Sequence, residues 1–384
     1  MDLERINMVD MSIKLKEANT KNELKDFVNF QYSLYENSKY WVPPLKREEL
    51  FSLRKDKNPA FDFCEAKYWL AYKNDKLVGR VAGIINHKYN EKFNKKIMRF
   101  GWIDFIDDPE VSNTLLTAVE NWAKEKNMAE VHGPLGFTDM DFEGTLIEGF
   151  EEISTLGSIY NYPYYPSQIE KNGYNKDIDW VEFEVTMNNK PIPEKVKRIG
   201  EIALKRNNLH VLRVKKSKNL LPYAKELFYL INNSYKDLYG FVELSDKQID
   251  MYVKQYFGFI KPEYLPIVLN DKNEMVAFGI TMPSLSKAFQ KCKGSLFPFG
   301  FIHVLKAMKN NECLDLYLTA VRPDMQDKGV NAIIIGEINK TINKNNIKFV
   351  ETNRELEDNL KVQAQWKFFE HRQHKRRRCY KKVI

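Results

Sequence analysis

Apolar and polar positions along the chain switch between two periods, and each switch marks an element. Leu316, Leu318, Ala320 and Val321 read as buried strand, which stops at Pro323 because proline has no N–H for a ladder. Ile333, Ile334, Ile335, Ile338 and Ile342 then recur at helical spacing and predict a helix over 332–344. The same reading predicts helices over 22–36, 111–127, 193–205, 220–239, 246–256 and 359–371. Two strand–turn–strand units stand apart from these, 68–85 and 264–281, each turning at Asn-Asp-Lys and closing in Gly-Ile. Asn and Asp suit such turns because both tolerate left-handed backbone.

The order of elements repeats. Strand 101–106 matches strand 316–321, Pro109 and Pro323 each precede a helix, and short strands follow at 130–134 and 349–353. Shared order over so many elements argues duplication of one α/β unit. The expected fold class is therefore α/β with mixed sheets, in two units over 1–190 and 191–384, divided at the polar, proline-bearing segment 188–193. The segment 284–311 is an insertion expected to form a lid or a helical pair. Its Phe289, Phe297, Phe299 and Phe301 are expected in a core, with the lining of a channel as the alternative.

Composition adds limits. No apolar run is long enough to span a bilayer, since 296–308 is interrupted by His303 and Lys306. The charged start of the chain lacks the apolar region of a secretory signal. Cys64, Cys292, Cys313 and Cys379 are scattered without metal spacing, which suits a reducing cytoplasm. The net charge of +8 is concentrated: residues 367–382 hold Lys367, Arg372, Lys375, Arg376, Arg377, Arg378, Lys381 and Lys382 against Glu370 alone. That end predicts an anionic contact, either phosphates of a ligand or the inner membrane surface, with a lysine-protected edge strand as the alternative. Phe368, Phe369 and Tyr380 nearby do not make a nucleic-acid reader without a recognised module.

The candidate chemistry lies at Gln326-Asp327-Lys328-Gly329-Val330-Asn331, between strand and isoleucine-rich helix. A glycine turn opening a helix aims several backbone N–H groups and the positive end of the helix dipole at one point, where a phosphate could bind. The matching loop of the first unit, Asp107-Asp108-Pro109-Glu110-Val111-Ser112, has no glycine and three carboxylates, which read as helix-start charges that repel a diphosphate.

With these residues in view, the segment resembles the pyrophosphate loop of the GNAT superfamily of acyl-CoA-dependent N-acyltransferases, Gln/Arg-x-x-Gly-x-Gly/Ala. Gln326, Gly329 and Asn331 fall on its fixed positions, Asn331 standing where Gly or Ala is usual. Residues 165–185 resemble the final helix, Lys-x-Gly-aromatic turn and last strand of the same fold. The whole chain resembles a bacterial tandem-GNAT family, through Trp41-Val42-Pro43-Pro44, Gly79-Arg80-Val81-Ala82, His132-Gly133-Pro134-Leu135, residues 143–150, Glu351-Thr352-Asn353 and Glu357-Asp358-Asn359. Some relatives of that layout resemble bacterial ceramide synthases.

The resemblance implies acyl-CoA as co-substrate, acetyl or longer, held by Thr319, Ala320, Val321, Gln326, Asp327, Lys328, Gly329, Val330, Asn331 and Ala332 of the second unit. The first unit would shape a pocket for an amine acceptor, including a long-chain amine. Glu351 is the candidate base, Asn359 the residue approaching the cofactor arm or a plain N-cap, and Tyr380 the candidate proton donor. Trp366 stands where many members carry a tyrosine. The alternatives are a non-catalytic binding protein of this fold and an aminoacyl-tRNA-dependent transferase. No metal is expected: His371, His374 and Cys379 sit among cationic residues. His87 and His132 are expected to be structural.

Overall fold

The computed structural model describes residues 12–187 and 190–384; residues 1–11 and Asn188-Asn189, where the linker was expected to begin, lie outside the described residues. Fourteen strands form one sheet: β1 (Lys14–Glu17), β2 (Cys64–Lys73), β3 (Lys76–Asn86), β4 (Ile97–Phe105), β5 (Glu130–Gly133), β6 (Thr145–Glu148), β7 (Asn175–Thr186), β8 (His210–Val211), β9 (Ile267–Leu269), β10 (Met275–Pro283), β11 (Cys313–Val321), β12 (Phe349–Glu351), β13 (Glu355–Leu356) and β14 (Glu370–Val383). Their order is β1-β2-β3-β4-β5-β14-β7-β12-β11-β10-β9-β8, with β6 beside β14 and β13 beside β7.

The repeat is visible in the pairing. In each unit an antiparallel meander ends in one parallel pair, β4 with β5 and β11 with β12. The two units then exchange their last strands. β7, from the first half of the chain, pairs with β12 and β13, while β14, from the end of the chain, pairs with β5 and runs beside β7. One continuous sheet results.

Helices cover both faces. Pro109–Glu125 packs on Trp69, Val81 and Met98 of the first half, and Lys21–Leu34 packs on Leu70, Ala82 and Ile84 of the opposite face. In the second half Val330–Lys344 covers Val276, Leu314 and Val350, and Ala224–Tyr235 covers Phe278, Ile280 and Ala320. Lys21–Leu34 starts where Thr20 and Glu23 form a reciprocal capping box. The helix expected over 220–239 is instead a 3₁₀ turn, Ser217–Tyr223, followed by Ala224–Tyr235, because Pro222 prevents a regular first turn.

The basic end differs from expectation in place and in pairing. The helix expected over 359–371 is confined to Leu360–Gln363 and a 3₁₀ turn, Ala364–Phe368. β14 begins at Glu370 and is interior to the sheet, not an edge. Its charges meet carboxylates: Arg372 lies 2.6 Å from Glu152, Arg376 3.1 Å from Asp179, Arg378 2.8 Å from Asp179, Lys381 2.8 Å from Asp177 and Lys382 2.8 Å from Glu120. Arg377 and Glu182 form a fully buried pair. The cations of this strand are thus matched by neighbouring carboxylates rather than left for a membrane or a cofactor phosphate.

The insertion is a helical pair, Ser286–Cys292 and Gly300–Lys309. Phe289 joins a small core with Val42 and Leu285, as expected, but Phe297, Phe299 and Phe301 are exposed.

Candidate functional site

β11 and β12 run side by side only through Cys313–Phe349, Leu314–Val350 and Asp315–Glu351, and then part. Thr352 turns its N–H to Phe183 O of β7 at 2.9 Å, carrying the backbone away from β11. A wedge opens beyond Asp315 and Glu351. Along its β11 edge, Arg322 N–H bonds Val276 O at 2.8 Å, so by antiparallel alternation Thr319 and Val321 direct N–H and C=O into the wedge. The carbonyls are partly engaged: Asn353 Nδ2 donates to Tyr317 O at 2.7 Å, Tyr235 OH to Thr319 O at 2.9 Å, and Ser234 Oγ to Val321 O at 3.0 Å.

The wide end of the wedge meets the glycine loop. Pro323–Met325 forms a 3₁₀ turn, Gln326 Nε2 returns to Val321 O at 3.2 Å, and Gly329 at φ +79° caps the helix that starts at Val330. Among the described residues the N–H groups of Asp327, Lys328 and Gly329 have no backbone acceptor. Those of Val330 and Asn331 are first-turn donors, which a helix leaves unpaired. A Cβ at Gly329 would sit 2.8 Å from Ile199 Cγ2, and one at Gly200 would lie 3.3 Å from the Ala332 backbone. The helix Glu194–Arg206 thus packs closely on this loop, and the left-handed backbone at residue 329 favours glycine there. Asn331, Lys328 and Asp327 are exposed, so the extra bulk of Asn331 does not block the turn. Donors of this kind, with Lys328 beside them, fit a diphosphate.

At the narrow end the sheet carries charge where it should carry apolar side chains. Asp315 and Glu351 face away from the Leu314–Val350 core, together with Glu184, Glu182 and Lys375. Burial and the neighbouring Glu351 raise Asp315 to about 8, and burial raises Glu351 as well. Lys375 Nζ, 3.5 Å from Glu351 and 3.8 Å from Glu182, supplies the compensating charge. Burial also pushes Glu182 upward, but Arg377 and Lys375 outweigh it and hold the carboxyl at about 2. His374 is buried with neither ring nitrogen hydrogen-bonded, Nδ1 lying 3.9 Å from Glu152, and burial lowers it to about 3. Glu184, Glu351 and His374 bring ligand atoms within 4.8 Å of one another. The Lys375 ammonium opposes a second cation there.

The expected residues divide between places. Thr319–Val321, the glycine loop and Glu351 lie along one wedge. Asn359 is an N-cap, accepting from Val362 N–H at 3.4 Å, and its helix reaches the loop through Lys361, 2.8 Å from Asp327. Trp366 is buried and donates to Glu355 at 2.9 Å, next to a shallow, half-open apolar cleft between Leu316, Ile338 and Phe369. Tyr380 is not brought to the site. It lies in the first core with Phe100 and Tyr174, donates to Glu170 at 3.2 Å, and is five strand residues, about 17 Å, from Lys375. Sequence reasoning missed Asp315 and Lys375; a lone acid inside the apolar strand Cys-Leu-Asp-Leu was the available signal. His371, His374 and Cys379 are spread along β14 and form no cluster. His132 is held between Glu130 at 2.6 Å and Asp177 at 3.2 Å, and His87 pairs with Glu65 at 2.9 Å, both structural arrangements.

The first unit has the same parallel pair but no wedge. β4 and β5 pair through Arg99–His132, and then Leu135 N–H bonds Phe100 O at 2.8 Å, so the backbone stays against β4. A Cβ at Gly101 would lie 2.4 Å from Leu135 O, which shows how completely the gap is filled. The loop beyond it is capped by its own acid: Asp108 accepts from Glu110 N–H at 2.9 Å and pairs with Lys73 at 2.7 Å.

No protein-family model matches the chain. It is 26% identical over 390 residues to Protein YghO of Escherichia coli (strain K12), covering 100% of this chain and 98% of that protein. It is 25% identical over 296 residues to a bacterial ceramide synthase of Caulobacter vibrioides, covering 76% and 75%. Among solved structures it resembles a tandem GNAT protein from the clavulanic acid biosynthesis pathway, with a TM-score of 0.56 at 10% identity over 97% of this chain and 98% of that one. The chain has the tandem GNAT fold.

Proposed function

We propose that the protein is an acyl-CoA-dependent N-acyltransferase whose second unit holds the co-substrate and whose first unit completes the acceptor side. The observation that carries this reading is the open wedge between β11 and β12, leading from Glu351 to a glycine-capped helix start. Lys328 and the N–H groups of residues 327–331 would hold the diphosphate, and those of Thr319 and Val321 would orient the thioester arm. Bound acyl-CoA supplies the activated acyl group. Glu351, raised by burial and balanced by Lys375, takes the proton from the acceptor ammonium directly or through a water. Asp315, raised to about 8, stays mostly protonated at neutral pH and so adds no second negative charge beside it. Tyr317, whose hydroxyl reaches Asp315 at 3.5 Å, is a phenol that the wedge does hold in place of the distant Tyr380. A long-chain amine as acceptor is supported by the name of the ceramide synthase relative. The cysteines, all unpaired thiols, suit the cytoplasm as the place of action.

A thermal-shift series with CoA, acetyl-CoA and palmitoyl-CoA tests the reading. A ligand at about a hundred times its dissociation constant adds roughly 2.7 kcal/mol, visible as a shift of several degrees. A shift that grows with acyl length selects a long-chain donor. No shift with any of them favours the second reading, a binding protein that kept the fold, which draws on the β11 carbonyls already engaged by Asn353, Tyr235 and Ser234.

A further inference from the structure

The helix Gly300–Lys309 is apolar on two faces. Val304, Ala307 and Met308 point inward and pack with Leu285 and Phe289. Phe301, Ile302 and Leu305 point outward and are exposed, and the preceding turn adds Phe297 and Phe299, which are 76% and 71% exposed. The Phe297 and Phe301 rings lie 6.1 Å apart, so the exposed groups form one patch. A surface helix ordinarily turns polar side chains to solvent, and nothing among the described residues covers this apolar outer row.

The charge around the patch indicates what does. Residues 284–311 contain Lys287, Lys291, Lys293, Lys306 and Lys309 and not one carboxylate. All five are exposed, and none forms an ion pair among the described residues. On β14, by contrast, nearly every cation is matched by an acid. Protein interfaces are depleted in lysine, whereas an exposed aromatic tip on a segment bearing five exposed lysines and no carboxylate matches the boundary between anionic headgroups and acyl chains. No helix among the described residues is long and apolar enough to cross a membrane, so the arrangement suits a protein lying on one.

We propose that the exposed edge of the insertion, Phe297 to Lys306, docks on an anionic lipid bilayer. The inner face of the same helical pair reaches the first unit, where Gln290 donates to Lys39 O at 2.9 Å and Trp41 O at 3.1 Å. Docking there sets the sheet at a fixed orientation to the bilayer without involving the basic strand at the end of the chain.

The test is co-sedimentation of the full chain with vesicles of phosphatidylcholine alone and of phosphatidylcholine with phosphatidylglycerol at 3:1. The wild type should bind the anionic vesicles, less so as salt rises, and bind the neutral ones weakly. Phe297→Ser with Phe299→Ser should lower the partition coefficient at least tenfold at an unchanged melting temperature, because both rings are already in solvent. Lys291→Gln, Lys293→Gln and Lys306→Gln together should lower it by roughly a hundredfold on anionic vesicles only. No binding by the wild type, or equal binding by both variants, overturns the proposal. So does a wild-type dimer in sedimentation equilibrium that the phenylalanine variant abolishes without any vesicle binding, because the patch would then belong to a second copy.

Discussion

The two parallel strand pairs of this molecule begin alike and end differently. Beyond Arg99 and His132 the chain folds back on β4, with Leu135 bonded to Phe100 and the gap filled by backbone. Beyond Asp315 and Glu351 the chain turns to β7 instead, and the side chain of Asn353 crosses the opening to Tyr317 O. The loops follow suit. Asp108 and Glu110 occupy the helix start in the first unit with carboxylates, whereas Gly329 leaves it bare in the second. In the first unit the gap between the parallel strands is filled, and in the second both the opening and the loop donors are present.

The largest expected effect that sharpens this contrast is at the narrow end. Glu351→Gln should lower turnover by about 10²–10³-fold without changing cofactor affinity, if Glu351 is the base. Wild-type turnover would leave it merely the counter-charge of Lys375. Next is the glycine. Gly329→Ala places a methyl group 2.8 Å from Ile199 in left-handed backbone and should cost about 1–3 kcal/mol, a fall of several degrees in melting temperature. An unchanged melting temperature would show that Glu194–Arg206 does not press on the loop. A substitution there therefore tests stability and binding together, which makes the exposed Lys328 and Asn331 the better probes of binding.

A third prediction concerns the price of closure in the first unit. The chain that fills its gap leads to the half-buried Asp139 and Asp141 and the buried Glu143, with Arg99 and Arg354 as counter-charges; desolvation raises the two aspartates to about 6, and burial with Asp139 raises Glu143 to about 8. Between pH 4.5 and about 8 the folded Glu143 holds a proton that the unfolded chain has released, so stability falls as pH rises through this window. Glu143→Gln cannot ionise, and should raise the melting temperature at about pH 8.5 by several degrees while changing it little near pH 5. An unaltered pH profile would contradict this. The smallest effect is expected from Asn353→Ala, which frees Tyr317 O and removes about 1 kcal/mol of hydrogen bonding. CoA affinity should rise a few-fold if Asn353 competes for that carbonyl; an affinity that falls would make Asn353 a ligand contact instead.

Much of the second unit was legible in the sequence because its signals are local. The isoleucines of 333–342, Pro323 and Gly329 each constrain their own neighbourhood, and the helix expected from residue 332 begins only two residues earlier, at Val330. The exchange of β7 and β14 was not legible, since a strand's own residues fix its faces but not the edge it joins. The run Lys375–Arg378 therefore read as an end awaiting an anionic partner, or as a lysine-protected edge strand. Its complement was present in Asp177, Asp179, Glu182 and Glu184, acids at intervals along the one strand that could neutralise it. The charged narrow end of the wedge depends on the same exchange, because Lys375 arrives beside Glu351 only once β14 lies next to β7.

The most direct test of the central claim is a calorimetric titration of CoA and palmitoyl-CoA into the wild type and two variants. The account predicts one site per chain. It further predicts that Lys328→Glu with Asn331→Asp weakens binding at least a hundredfold, and that Glu110→Lys in the first unit leaves it unchanged. Two sites per chain, or a loss of binding on Glu110→Lys with none on the second-unit pair, would contradict it.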